Sequence, residues 1–338
     1  MLNKNYYYYL LFFPMILLTN FLMFINNSWI SMWMIMEMNM ISFIGLVMFD
    51  YYMNKESLMI YFLIQTLMSY IFLFSMIMLN FNFMNYMIMM MLLISLFTKL
   101  GLPPFYYWYI KIMMNLNWLN IFILSVIQKI IPLMILNMII NLINLNLNFF
   151  MILLLFISLY GSIKGLNQVM IKLLMVYSSM IQMSWIIMIM LFNEMIFISY
   201  YLIYFIIFLN LSMIFYNFNL NKLLSFYMLK FYNKNYYYYM IITIMSLASL
   251  PPFYGFLMKW ITIQMLNTKI SFIYFICLIF ISLISLVFYL QLFFNIILLN
   301  FMSLKLNYMK FNYKMNLNYK IILINWLMFV MLLSFELF

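Results

Sequence analysis

Four side chains able to hold a proton lie inside the most apolar runs of this 338-residue chain: Glu37 in WMIMEMNMI, Lys99 in LFTKLGLPP, Lys129 in SVIQKIIPL and Lys259 in FLMKWITI. An ionisable group at the centre of an apolar helix costs ~2.5–3.5 kcal/mol on insertion scales, so each needs a counter-charge or water. Opposite charges 4 Å apart attract by ~4 kcal/mol at an effective dielectric of ~20. That is enough to decide which group holds a proton. Facing Glu37, Lys99 is kept as the cation; drawn apart, it releases its proton, and Lys129 is a second base on the way. Such groups titrate as a coupled set. Gln65, Gln128, Ser178, Ser179 and Gln182 lie in the same kind of run. They are candidate water carriers, and each equally suits a hydrogen bond between packed helices.

The prolines single out the same places. All six, Pro14, Pro103, Pro104, Pro132, Pro251 and Pro252, fall in apolar runs. Proline lacks an N–H and clashes with the carbonyl four residues back. A Pro-Pro pair therefore opens the backbone, and freed carbonyls in hydrocarbon need protein or water to satisfy them. LPPFY occurs at 102–106 and again at 250–254, each time near a lysine. The spacing predicts two discontinuous helices from two structural repeats, an arrangement that holds ion sites near the midplane of transporters. Pro14 alone reads as a simple kink.

The elements that carry these residues follow from composition. The chain is 70% hydrophobic and 6% charged, with a mean hydropathy of +1.12. A soluble domain cannot bury that much apolar surface, so the fold class is an all-α polytopic membrane protein. One cysteine and no histidine leave no disulfide framework, thiolate cluster or imidazole site, and no phosphate loop or nucleophile–base pair is present. No metal or cofactor site is expected in the chain.

A bilayer-crossing helix needs ~20 apolar residues. Eleven spans are expected, at about 6–26, 29–49, 57–80, 84–108, 118–141, 149–163, 171–192, 195–217, 236–262, 271–299 and 319–338. They form one transmembrane domain over 1–338, with breaks near 102–104 and 250–252. If the spans alternate, Lys4, Lys55, Lys111, Lys164, Lys172, Lys222, Lys230, Lys234, Lys305, Lys310, Lys314 and Lys320 share one face, and Lys269 alone takes the other. This asymmetry follows the positive-inside rule. The net charge of +11, all from lysine, thus reports orientation, not nucleic-acid binding. The three lysines left over are Lys99, Lys129 and Lys259. Among the acids, only Glu37 lies near a span centre; Asp50, Glu56, Glu194 and Glu336 fall at ends or loops.

Residue usage adds a source. Met, Phe, Tyr, Ile, Leu, Asn and Lys have AT-rich codons and dominate, while Ala248 is the single alanine. Forty-two methionines suit a code in which ATA is read as Met. An animal mitochondrial genome is expected, with the protein in the inner membrane, no presequence, its N-terminus on the matrix side and its C-terminus facing the intermembrane space.

WMIMEMNMISFI (33–44), FTKLGLPPFYYW (97–108), QKIIPL (128–133), VYSSMIQMSWI (176–186) and SLPPFYGFLMKW (249–260), in this order, are together similar to the antiporter-like chain 2 family of mitochondrial NADH:ubiquinone oxidoreductase (complex I). The resemblance runs over nearly the whole chain. It carries the family's key glutamate onto Glu37, the lysines of the two broken helices onto Lys99 and Lys259, and the central lysine onto Lys129. It implies inverted repeats, eleven helices against fourteen in bacterial relatives, and proton translocation driven by quinone reduction elsewhere. NADH, FMN, iron–sulfur clusters and ubiquinone are then expected on partner subunits. The implied neighbours are other antiporter-like subunits, the small subunit 4L, accessory subunits and lipids. Three positions depart from the family pattern. Pro103-Pro104-Phe105-Tyr106 replaces a usual Ala-Pro-Phe-His, Ile110-Lys111 replaces a Pro-Glu, and Gln182 replaces a common histidine. A free-standing cation/proton antiporter and an inert spacer of the membrane arm are the alternative readings.

Overall fold

The computed structural model describes residues 2–48, 54–79, 85–142, 147–221, 234–251, 253–267 and 272–302. Among these residues the structure is helical throughout, with no β-strand. Ten of the eleven expected spans fall within it; the span at 319–338 lies outside the described residues. The first three are continuous helices: α1 (Leu2–Ile25), which takes in Pro14, α2 (Trp29–Met48) and α3 (Lys55–Leu79). The fourth is broken into α4 (Asn85–Leu100) and α5 (Tyr107–Asn115). The fifth comprises α6 (Trp118–Ser125), a 3-10 turn (Ile127–Lys129) and α7 (Ile130–Leu142). Then come α8 (Leu147–Leu166), α9 (Ile171–Met190) and α10 (Glu194–Asn217). The ninth span is again broken, into α11 (Lys234–Leu247) and α12 (Tyr254–Asn267), and α13 (Phe272–Met302) follows. Seven stretches are long and apolar enough to cross a membrane.

The two proline breaks share one backbone design. At the first, the Gly101 N–H donates to the Thr98 carbonyl and the Leu102 N–H to the Phe97 carbonyl, both at 3.0 Å. At the second, Ser249 donates to Ser246 at 3.1 Å and Leu250 to Met245 at 3.3 Å. This pair of bonds is the Schellman ending of a helix, which needs one left-handed residue just past the cap. Gly101 (φ +69°) and Ser249 (φ +56°) supply it. A further turn follows in each, from Phe105 to Leu102 and from Phe253 to Leu250. The breaks therefore arise before the prolines, which then prevent the helix from resuming. Pro103, Pro104 and Pro251 lie where the expectation put them; Pro252 lies outside the described residues.

The interruption in the fifth span has another cause. Pro132 has no N–H for the Gln128 carbonyl and crowds it. The chain answers with a 3-10 turn in which the Lys129 N–H reaches Val126 at 3.1 Å. Carbonyls displaced there are met from neighbouring helices. Tyr201 of α10 donates to the Val126 carbonyl at 2.5 Å, and Asn20 of α1 donates to the Ile127 carbonyl at 3.3 Å.

The core is centred on α9, where 18 of the 20 residues are buried. Helix α8 runs on through Gly161 and Gly165 and packs closely on α9. A Cβ at Gly161 would lie 3.1 Å from the Ile181 side chain and 3.3 Å from the Tyr177 carbonyl. Small residues give this close approach in membrane bundles, where lipid supplies no hydrophobic drive between helices.

Candidate functional site

Each break delivers side chains to the interior. Lys99 is the last residue but one of α4, and its Nζ donates to the Met36 sulfur of α2 at 3.3 Å. The Trp108 indole, at the start of α5, donates to the Thr98 carbonyl at 3.0 Å and so ties the two halves of the broken span together. Tyr109 follows, fully buried. The 3-10 turn carries Gln128 and Lys129, and Lys129 is only 2% exposed.

These residues surround a cavity of about 40 Å³ lined by Lys99, Lys129, Gln65, Gln128, Asn39 and Tyr61, among others. A water needs ~10–15 Å³ of such space and at least two polar partners, and this cavity provides both. The Tyr61 hydroxyl donates to Gln128 Oε1 at 3.1 Å across it. Glu37 is half-buried on α2 between two lining residues, Met36 and Asn39, within electrostatic reach of Lys99. Its Oε1 is buried without a hydrogen-bond partner. Among the described residues the two do not close to an ion pair, so the carboxylate and the amine stand apart across α2 and α4.

Lys129 Nζ has no hydrogen-bond partner and lies 4.5 Å from the centroid of the Tyr109 ring. The Tyr109 hydroxyl is 3.1 Å from Ser179 Oγ on α9. Ser178 and Ser179 each donate to the carbonyl three residues back, Met175 and Val176, at 2.8 Å. One turn further along α9, Gln182 Oε1 accepts from Tyr200 of α10 at 2.6 Å. Gln182 and Tyr200 line a second cavity, of about 20 Å³, with Tyr204, Ser246 and Met258. Lys259 follows Met258 on α12. It is 5% exposed, its Nζ has no hydrogen-bond partner among the described residues, and it lies 5.7 Å from the centroid of the Trp185 ring on α9.

The structure thus gathers Lys99, Lys129, Gln65 and Gln128 around one space and places Glu37 beside it. Gln182 lines a second space, Lys259 adjoins its lining residue Met258, and Ser179 bonds to Tyr109 of the first. Sequence reasoning missed the tyrosines Tyr61, Tyr109, Tyr200 and Tyr204. Position was the available signal for three of them: Tyr61, Tyr200 and Tyr204 fall within expected spans, whereas Tyr109 falls just past the end of one. Lys172, which the sequence only counted among the lysines of one face, has a structural role as well. Its Nζ donates to the Met114 and Leu116 carbonyls at 3.1 and 2.7 Å, capping the C-terminus of α5 from α9. A cation at a helix C-terminus meets unpaired carbonyls and the negative end of the helix dipole.

Residues 26–288 match the family described as NADH:quinone oxidoreductase/Mrp antiporter, TM. The chain is 36% identical over 285 residues to NADH-ubiquinone oxidoreductase chain 2 of Anopheles gambiae, covering 82% of each. It is 35% identical over 303 residues to the same-named protein of Aedes aegypti, covering 86% of each. Among solved structures, a chain of respiratory complex I from Thermus thermophilus has a similar fold, with a TM-score of 0.66 at 16% identity. The alignment covers 78% of this chain and 64% of that one. A chain of the Mrp complex from Dietzia sp. DQ12-45-1b matches with a TM-score of 0.67 at 14% identity, over 79% of this chain and 56% of that one. These shared features place the chain in the NADH:quinone oxidoreductase/Mrp antiporter transmembrane family, to which it belongs.

Proposed function

We propose that the chain is a proton-translocating membrane subunit of a respiratory NADH:ubiquinone oxidoreductase in the mitochondrial inner membrane. The observation that carries this reading is the cavity shared by Lys99 and Lys129 at two helix breaks, with Glu37 beside it. Membrane interiors hold ionisable groups where protons or ions pass. Glu37 approaching Lys99 holds a proton on the amine; separation lets it move through cavity water to Lys129. Lys259 governs exchange beyond α9. The names carried by the insect relatives support the assignment to this oxidoreductase.

With no histidine and one cysteine in its sequence, the chain offers little to hold a redox centre. NADH, FMN, iron–sulfur clusters and ubiquinone belong, on this reading, to partner subunits. Those partners are the other antiporter-like subunits, subunit 4L and accessory subunits, with lipids around them. The lysine asymmetry supports an N-terminus on the matrix side and a C-terminus facing the intermembrane space. Residues 1–338 form one antiporter-like domain, its inverted repeats marked by the matching breaks.

The test is Lys129→Met in the assembled oxidoreductase. Proton translocation per NADH oxidised should fall while assembly is kept. Unchanged assembly, electron transfer and proton yield would make the chain a spacer.

A further inference from the structure

A proton passing from Lys129 towards Lys259 has to cross α9, and from Ser178 to Met190 that helix carries no acid or base. At the crossing stand hydroxyls and one amide. Tyr109 meets Lys129 through its ring and Ser179 through its hydroxyl. Because Ser179 already donates to Val176, Tyr109 is the donor in their bond. On the far side Tyr200 is bonded to Gln182. Tyr204, one turn along α10 from Tyr200, lines the second cavity and lies within electrostatic reach of both Tyr109 and Tyr200. It is 3% exposed, yet its hydroxyl has no hydrogen-bond partner. A buried phenol ordinarily finds a partner, because an unpaired one loses its hydration without return. Beside a cavity with room for water, such a hydroxyl is placed to bind one.

We propose that Tyr109 and Tyr204 are the two hydroxyl steps that carry a proton past α9, between the Lys129 cavity and the Gln182–Tyr200 cavity. The inference rests on the lysine relay proposed for this site. The ring of Tyr109 holds the Lys129 ammonium against the phenol by a cation–π contact. A proton arriving from water in the first cavity forms an O–H bond at the Tyr109 oxygen as the O–H bond aimed at Ser179 breaks. Ser179 takes that proton as its own O–H turns away from the Val176 carbonyl and passes its proton to water on the Tyr204 side, where Tyr204 repeats the exchange. One proton enters and one leaves, no electron moves, and rotation of the hydroxyls restores the starting state.

Tyr109→Phe keeps the ring, its packing and the contact with Lys129, and removes only the hydroxyl. Tyr204→Phe removes a hydroxyl that bonds to nothing in the protein, so a purely structural role would leave it silent. In the assembled oxidoreductase in lipid vesicles, each variant should lose the share of proton translocation that Lys129→Met loses. Full translocation in either phenylalanine variant, with Lys129→Met deficient, overturns the tyrosine step and leaves the lysine reading in place. Full translocation in Lys129→Met defeats the lysine reading itself. Should a variant fail to assemble, a density map of the intact complex decides. Ordered water within hydrogen-bond reach of the Tyr204 hydroxyl is expected, and a dry apolar surround there overturns the proposal.

Discussion

Gly101 and Ser249 hold the same place in the same turn, 148 positions apart. Both have a positive φ, +69° and +56°, and each donates its N–H to the carbonyl three residues back. The breaks that open the interior to Lys99 and Lys259 are thus one backbone device used twice. Glycine takes the left-handed conformation freely, whereas a side chain there costs ~1–2 kcal/mol.

Opposite substitutions should therefore have opposite signs. Ser249→Gly relieves the left-handed residue and should stabilise the subunit by about 1 kcal/mol. Gly101→Ala should destabilise it by more, since its Cβ would lie 3.0 Å from the Tyr109 side chain as well as being strained. The midpoint of thermal dissociation of the purified complex reads both. A rise with Gly101→Ala would mean that the turn is not held as described.

The interruption at Val126–Lys129 depends on donors from outside its own span. Tyr201→Phe leaves the Val126 carbonyl with the Lys129 N–H but without its side-chain donor, and Asn20→Leu leaves Ile127 with the Ile130 N–H alone. Single interhelical hydrogen bonds in membranes contribute ~0.6 kcal/mol on average and rarely above ~1.7. Each variant should lower stability by about that much, and the pair together should leave the turn open to protease. Tyr204→Phe is the built-in control, because that hydroxyl has no protein partner and should cost nothing.

Part of this was legible in the sequence. The doubled LPPFY announced two breaks, and sorting the charges by span left Glu37, Lys99, Lys129 and Lys259 as residues that topology could not explain. The third break was not legible, because a lone Pro132 near the start of α7 resembles any helix-initiating proline. Thirty tyrosines in one chain hid the few that sit mid-span. Charge counting assigned Lys172 to one membrane face but could not show that its ammonium is committed to the α5 carbonyls. That bond depends on tertiary approach, which a one-dimensional pattern does not carry.

Lys259 separates a functional charge from a structural one. Its ammonium is buried with no hydrogen bond among the described residues and lies 5.7 Å from the centroid of the Trp185 ring. Burying an unpaired ion costs several kcal/mol, and an apolar replacement of like shape is often neutral or stabilising. Lys259→Met should thus leave the complex as stable as before, or more stable, while proton translocation falls. A complex that comes apart more easily would mark Lys259 as a structural tie.

The gap between Glu37 and Lys99 makes the last prediction. Lys99 Nζ is held by the Met36 sulfur, one residue from Glu37, whose buried Oε1 has no partner. The carboxylate is therefore near enough to bias the amine electrostatically without fixing it, as a pair that opens and closes requires. Glu37→Gln keeps the shape and removes the charge, so translocation should fall with assembly intact. Adding Lys99→Met to Glu37→Gln should then cost little more than either change alone, because residues acting as one unit are not additive. Two independent losses that simply add would show that the glutamate and the lysine work on separate steps, and translocation unaltered by Glu37→Gln across pH would remove the switch.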